Sequence, residues 1–557
     1  MHRSRGFKGE TFTHGIPLRT SVSLTLSRSP TLPDALKAMI PAHQRQSRNG
    51  YGRIGIMRSA FTRRGLLELA ALLPAWQAAG QAPVGRVVAE PPADRDPVEQ
   101  PTPESFRVYT EAPRLFLSTS RLRLLRRERE RRSIRWEQFE TLWQAGTQYP
   151  EFGWTAALRY QIAEEGAVGR QAVTWAANAA PDGKAPVSDG VLRQIAIVAD
   201  WCAPLLSADD KAQIYPKLER AMAGPAGNLA AARTKTLAAI ALSEAKPDSA
   251  VKALREVYEG FWLGTFLPGL RAAKLHVSSS DANAMLELMH AFRDNLNFDL
   301  RQTFGKWFRD YPLTHILAHY PEPFPAAENE YRIPVDPEMD KRGPDVTKAT
   351  LSRAAELAMV ALDSNAPETQ LLQGFLMNDR FLMRGALGIT YEMLWANPYQ
   401  PGLSYYHVPL VAHDEVGGEL YVRSSWEDDA QLLAFTGGQL QLFANGEMVK
   451  VDPGVEHVPI DVTEATVFFA RGTTKFRVPD RKPVEQPRNP ADADPDQPPD
   501  DLPQDDVFII GLNAKRRYHV EVDGEGMLET ASDVGGIVYL PGLPAGASVR
   551  FGLAPPV

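Results

Sequence analysis

Apolar side chains recur every three to four residues from about residue 107 to 395, and every second residue after Pro398. The first spacing is that of amphipathic helices and the second that of strands with one face in a core. Ser118 or Thr119 can cap a helix that carries Leu122 and Leu125, followed by Trp136, Phe139 and Trp143. Further helical runs are expected at Trp154–Ala163, Ala167–Ala177, Leu192–Leu206, Asn228–Ser243, Ser249–Phe261, Ser280–Leu296, Leu300–Phe308, 347–362 and 369–394. Ser207 is the expected cap of a helix that begins Asp209-Asp210, where acidic side chains meet the positive end of the helix dipole. No strand pattern interrupts 110–395, so many helices with short links predict a bundle, solenoid or toroid.

The period-two half predicts strands at Leu420–Trp426, Gln431–Phe435, Leu440–Phe443, Met448–Val451, Val467–Ala470 and Thr474–Val478. Gly437-Gly438 and Asn445-Gly446 stand between apolar runs, the pattern of tight hairpins. Residues 480–506 are rich in Pro, Asp and Gln and are expected to form a disordered insertion. Strands resume at Val507–Ile510, Tyr518–Val522, Gly536–Leu540 and Ser548–Leu553, and an antiparallel sandwich is the natural product.

The front of the chain follows neither period. Residues 1–56 are basic and rich in Ser, Arg and Pro, an extension that translation from Met57 would omit. Residues 57–82 run from Arg63-Arg64 through an apolar stretch, Leu69 to Trp76, to the small residues Ala78-Ala79-Gly80-Gln81-Ala82. That order is the signature of an export signal, and the arginine pair resembles a twin-arginine leader. Glu68 interrupts the apolar run, and Leu66 stands where such leaders usually carry Phe. Residues 83–106, with six prolines, read as a linker. The chain then divides into a helical domain at 107–400 and a β domain at 401–557, with a periplasmic or extracellular location expected.

Composition narrows the partners. The formal charge is −7, from 61 basic and 68 acidic side chains, which gives no electrostatic footprint for nucleic acid or an anionic membrane. No other segment is apolar over the length needed to span a bilayer once the leader is removed. The single cysteine, Cys202, excludes an intramolecular disulfide and reads as a buried small hydrophobe. The arginines of 121–135 alternate with Glu128 and Glu130, as on a solvated helix face.

Several segments together resemble heparinase II/III-like and alginate-lyase-like polysaccharide lyases. Pro113–Ser118 resembles the opening of their α/α toroid, and Arg193–Cys202 with Leu205-Leu206-Ser207 is similar to their third helical unit. Asn228–Arg233 followed by Leu237–Leu242 resembles the asparagine-bearing helix of their cleft. Arg423-Ser424-Ser425-Trp426 resembles the strand that opens their β domain, and Asp452-Pro453-Gly454 a later turn. The resemblance covers roughly residues 112–480. It implies an incomplete α/α toroid followed by an antiparallel β-sandwich, a polysaccharide or oligosaccharide substrate, and no metal or cofactor.

It also implies β-elimination at a uronic acid. That reaction needs a group to neutralise the carboxylate, a base for the C5 proton and an acid for the leaving C4 oxygen. Asn228 matches the neutralising position, although after Gly227 it fits a plain helix cap equally well. Arg233 lies five residues further along the same helix. His457, His276 and Tyr258 are the candidates for proton transfer, and Arg423 and Trp426, with Arg233, for substrate binding. The H-G-H-x-D stretch expected between the R-x-S-W strand and the D-P-G turn is replaced by Thr436-Gly437-Gly438-Gln439-Leu440. The family's later histidine aligns with Glu464, and no tyrosine stands near Val277–Asp281.

Other residues compete for these roles. His315 and His319 lie one helical turn apart, a spacing that can chelate a metal, but Ile316 stands where a metalloprotease carries its glutamate. His413 lies before the Arg423 strand, and Tyr311 and Tyr320 are further phenols. Two alternatives stay open: a catalytically degenerate glycan-binding or scaffold protein of the same fold, and an α/α-barrel glycoside hydrolase. The hydrolase needs two opposed carboxylates, for which Asp200 and Asp281 are available.

Overall fold

The structure, a computed structural model, describes residues 101–554 apart from 180–186, 273, 276, 323–331, 340–344, 380–382, 454–458, 463–464, 471–474 and 481–503. The expected extension and leader and most of the expected linker and insertion lie outside these residues, as do His276 and His457. The described chain is helix-rich as far as Trp395 and is built of largely antiparallel sheets from Val411 onward. No helix of the described residues is long and apolar enough to cross a membrane.

The helices are α1 (Thr119–Glu130), α2 (Ile134–Gln144), α3 (Phe152–Ala163), α4 (Gly166–Asn178), α5 (Asp189–Trp201), α6 (Ala208–Ala223), α7 (Leu229–Ala241) and α8 (Pro247–Arg255). A π-helix, Glu256–Phe266, links α8 to α9 (Leu267–Arg271). The series ends with α10 (Ser279–Leu296), α11 (Gly305–Leu317), α12 (Val346–Leu362), α13 (Pro367–Asn378) and α14 (Gly388–Trp395). Side-chain oxygens start many of them. Ser118 accepts from the Arg121 N–H, Ser207 forms a reciprocal capping box with Asp210, and Asn228 accepts from the Ala231 N–H. The run expected at 369–394 is two helices rather than one. Between them Asp379 turns inward to accept the Arg332 N–H and to pair with Arg353.

Helices α3, α5, α7, α10, α12 and α14 touch one another in that order, and α14 returns to α3. Their facing sides are largely apolar, and a buried ion-pair cluster lies among them. Arg193 of α5 donates from Nε to Glu287 Oε2 of α10 at 2.7 Å, and Arg233 of α7 reaches the same oxygen at 3.3 Å. The Arg193 guanidinium also lies 4.0 Å above the Trp154 ring and pairs with Glu151. Charges removed from water persist only when paired, and this set is balanced, two guanidiniums against two carboxylates.

The strands are β1 (Val411–Asp414), β2 (Glu419–Arg423), β3 (Leu432–Thr436), β4 (Gln439–Ala444), β5 (Glu447–Val451), β6 (Ile460–Asp461), β7 (Ala465–Phe469), β8 (Lys475–Arg477), β9 (Gln504–Ile510), β10 (Arg517–Val522), β11 (Glu525–Ala531), β12 (Val538–Pro544) and β13 (Ser548–Leu553). They form three sheets, in the orders β1-β2-β3-β4-β5, β11-β10-β13-β8 and β12-β9-β7-β6. All pairings are antiparallel except β7 with β9, which the chain reaches after the Pro-rich insertion. Strand β9 begins at Gln504, so the expected insertion gives way to strand before residue 506. The two predicted hairpins form, with Gly437, Gly438, Asn445 and Gly446 all at positive φ.

Strands β2 and β3 of the five-stranded sheet are buried on both faces. Leu420, Val422, Leu433 and Phe435 pack on Val467, Phe469, Phe508 and Ile510 of the β7 and β9 strands. The alternate residues, Tyr421, Leu432, Ala434 and Phe443, join the helical core. Period two therefore sets Glu419, Tyr421 and Arg423 on the face that meets the helices. Polar bonds cross this junction. Tyr320 donates to Gln441 Oε1 at 2.7 Å, and Arg423 donates to the His319 carbonyl at 3.2 Å.

Candidate functional site

A cavity of about 700 Å³ lies where the helices meet the five-stranded sheet. Helix α11 contributes Tyr311, Thr314 and His315, Ala318 follows at its C-terminal cap, and the first turns of α12 contribute Lys348, Ala349 and Ser352. The segment Ile333–Glu338 forms one wall; Glu419 and Tyr421 of β2, with Thr436 and Gly437, form another. Val277 and Ser278, just before α10, also line it. The volume falls within the range of about 300–1,000 Å³ typical of small-ligand pockets.

One face of the cavity holds an oriented imidazole. His315 Nδ1 lies 3.4 Å from Glu356 Oε1, with Glu356 buried on the neighbouring α12. The contact is at the long end of the hydrogen-bond range. A carboxylate only accepts, so in this bond Nδ1 carries a proton and donates. The Tyr311 ring packs edge-on against this imidazole at 4.6 Å, one helical turn earlier. The Tyr311 hydroxyl makes no hydrogen bond to another described residue. Burial, then the charges of Glu419, Asp414, Asp281 and Glu356, push its phenol far above the usual range. It therefore stays protonated at neutral pH and is not a phenolate base.

Glu356 is held by more than His315. His319 donates from Nδ1 to the His315 carbonyl at 2.7 Å, and its Nε2 lies 3.1 Å from Glu356 Oε1. Arg353 Nε lies 3.4 Å from Glu356 Oε2, and Arg353 continues to Asp379 at 2.5 Å. Burial alone would raise the Glu356 carboxyl. The His319 and Arg353 charges and the hydrogen bonds from both imidazoles overcome it and hold the group well below the usual carboxylate range. His319 thus turns Nδ1 to the His315 carbonyl and Nε2 toward Glu356, and unlike His315 it does not line the cavity. Among the described residues no group of three or more His, Cys, Asp or Glu side chains could hold a metal ion.

The opposite wall is a carboxylate with two hydroxyl donors. Thr436 donates to Glu419 Oε1 at 2.5 Å and Tyr421 to Oε2 at 3.2 Å. Burial, followed by the Glu419 charge, pushes the Tyr421 phenol well above its usual range.

The residues proposed from the sequence are dispersed. Asn228 is exposed and caps α7, and Arg233 belongs to the buried pair with Glu287. Tyr258 is buried among Phe106, Phe292 and Phe298. Arg423 and Trp426 are stacked on each other at 4.9 Å beneath the surface, and the Trp426 N–H donates to the Val408 carbonyl. None of these five lines the cavity. His413 pairs with Asp533 at 2.9 Å, and Asp200 is bound to Arg114 and to the Arg114 and Leu115 N–H groups. Of the competing residues, Tyr311 and His315 reach the cavity together. Glu356 and Glu419 were named by no motif. The legible signal for Glu419 was the alternation Glu419, Tyr421, Arg423 on a strand whose other face is wholly apolar.

No family model matches the chain, and no curated protein matches it. A solved structure named glycoside hydrolase aligns with 73% of this chain and 72% of its own, at 10% identity and a TM-score of 0.27. An overlap that loose fixes neither fold nor activity.

Proposed function

We propose that this chain is an exported, carbohydrate-active protein of heparinase II/III-like type, which cleaves a uronic-acid-containing polysaccharide by β-elimination in the junction cavity. The observation that carries the reading is the pair on α11: His315, oriented by buried Glu356, next to the protonated Tyr311. The closed order of contacts through α3, α5, α7, α10, α12 and α14 supports an α/α toroid as its helical part. The stacked cores of the three sheets support a sandwich-like β part.

In this reaction His315 Nε2 takes the C5 proton as general base. The C5–H electron pair becomes the C4–C5 double bond as the C4–O bond breaks. The leaving oxygen takes the Tyr311 proton, and the proton now on His315 returns to the phenolate, so the site is reset. General acid and base groups of this kind each contribute about 10²–10⁴ in rate. The proposed leader at 57–82 would deliver the folded protein to the periplasm or beyond; N-terminal sequencing of the secreted chain tests that part.

The test of the reaction is ultraviolet absorbance of the new double bond when the mature chain meets a panel of uronic-acid polymers. Growth that is lost in His315→Ala and in Tyr311→Phe supports elimination at this site. A second reading, glycan binding without turnover, is favoured by the absence of histidine between Arg423 and Asp452. Retention on a polymer with no absorbance growth by folded protein would select it.

A further inference from the structure

The charge of the cavity bears on which uronic acid it accepts. Among the described residues its lining holds four carboxylates, Asp336, Glu338, Asp345 and Glu419, and one ammonium, Lys348. That ammonium is already paired, with Lys348 Nζ 2.5 Å from Glu338 Oε2. No guanidinium is among the described lining residues. The sequence neighbours Asp340, Lys341 and Arg342 lie outside the described residues. Arg233 and Arg423, the cations expected to meet a substrate carboxylate, are committed elsewhere, to Glu287 and to the His319 carbonyl.

A free uronate polymer brings one negative charge per ring into this field, and like charge at close range is an effective way to reject a ligand. Elimination still requires a carbonyl beside C5, since that group makes the C5 proton removable. An ester or amide supplies the carbonyl without the charge, and withdraws electrons more strongly than a carboxylate does. We infer, resting on the elimination reading above, that the cavity takes uronic-acid residues whose carboxyl is esterified or amidated, in preference to free uronates. The need for a carboxylate-neutralising side chain then disappears, in keeping with the position of Asn228 at a helix cap away from the cavity lining.

The experiment compares four probes with the full mature chain: polygalacturonate and alginate, each free and methyl-esterified. Elimination is followed by ultraviolet absorbance, and Glu338→Lys is run beside the natural chain. Glu338 is exposed, so the variant is expected to fold. The expected result is elimination at least about tenfold faster on an esterified polymer than on its free form, with the variant narrowing the gap by about threefold or more. Equal or faster elimination on the free polymers overturns the charge selection and leaves elimination standing. No elimination on any probe, with folding confirmed by circular dichroism, overturns the elimination reading and the substrate class with it.

Discussion

Glu356 Oε1 lies 3.4 Å from Nδ1 of His315, so a buried carboxylate on one helix orients an imidazole that the next helix presents to a cavity. The relationship joins stability to chemistry, because the carboxylate stays charged only while its cationic partners surround it.

Removing that charge should destabilise the fold. Breaking a buried ion pair from one side costs about 3–5 kcal/mol, and Glu356→Gln is expected to lose an amount of that order at pH 7. The folded carboxyl is held below its usual range, so its contribution is present above the unfolded value of about 4.3 and is lost as pH falls further. Urea unfolding at pH 7 and pH 3 checks this: the gap between natural chain and variant should shrink at pH 3.

Glu392 carries the opposite sign. Burial pushes its carboxyl up to about 7, against the Arg135 charge and the Met383 N–H. A folded value above the unfolded one gives stability that is present below about pH 4.3 and is lost as pH rises through 7. Glu392→Gln should therefore gain on the natural chain between pH 5 and pH 9, by up to about 3 kcal/mol. Thermal unfolding across that range measures it.

The centre of the helical ring depends on Glu287, which serves both Arg193 and Arg233. Glu287→Ala leaves two buried guanidiniums short of a partner and is expected to cost about 3–5 kcal/mol. Denaturant midpoints should fall without a change in slope.

Asn228 separates a capping role from a chemical one. Loss of its bond to the Ala231 N–H in Asn228→Ala should cost about 1 kcal/mol, and Asn228→Ser should recover most of it. Any turnover by the folded protein should be the same in both variants.

The helices were legible because their determinants are local. Ser118, Ser207 and Asn228 cap where spacing and residue type predict, and the apolar period marks the buried faces. The break after Asn378 was not legible, because Asp379 leaves the helix for Arg332 and Arg353, partners 47 and 26 residues away. Strand β1, Val411–Asp414, and strand β11, Glu525–Ala531, lack a clean alternation and form through pairing with β2 and β10. The parallel β7–β9 pairing is likewise set by what the Pro-rich insertion allows, which no local pattern encodes. In the site, Tyr311 and His315 could be found as a one-turn pair. Glu356 could not, since a glutamate within an amphipathic helix ordinarily faces water. Only the packing of α12 against α11 brings it between two imidazoles.

The central claim rests on His315, and initial elimination rates of the natural chain and His315→Ala on methyl-esterified polygalacturonate test it most directly. The prediction is measurable double-bond formation by the natural chain and a fall of at least about 10²-fold in the variant, with thermal unfolding of the variant within a few degrees of the natural chain. Equal rates in the two proteins would remove His315, and with it the junction cavity, from the reaction.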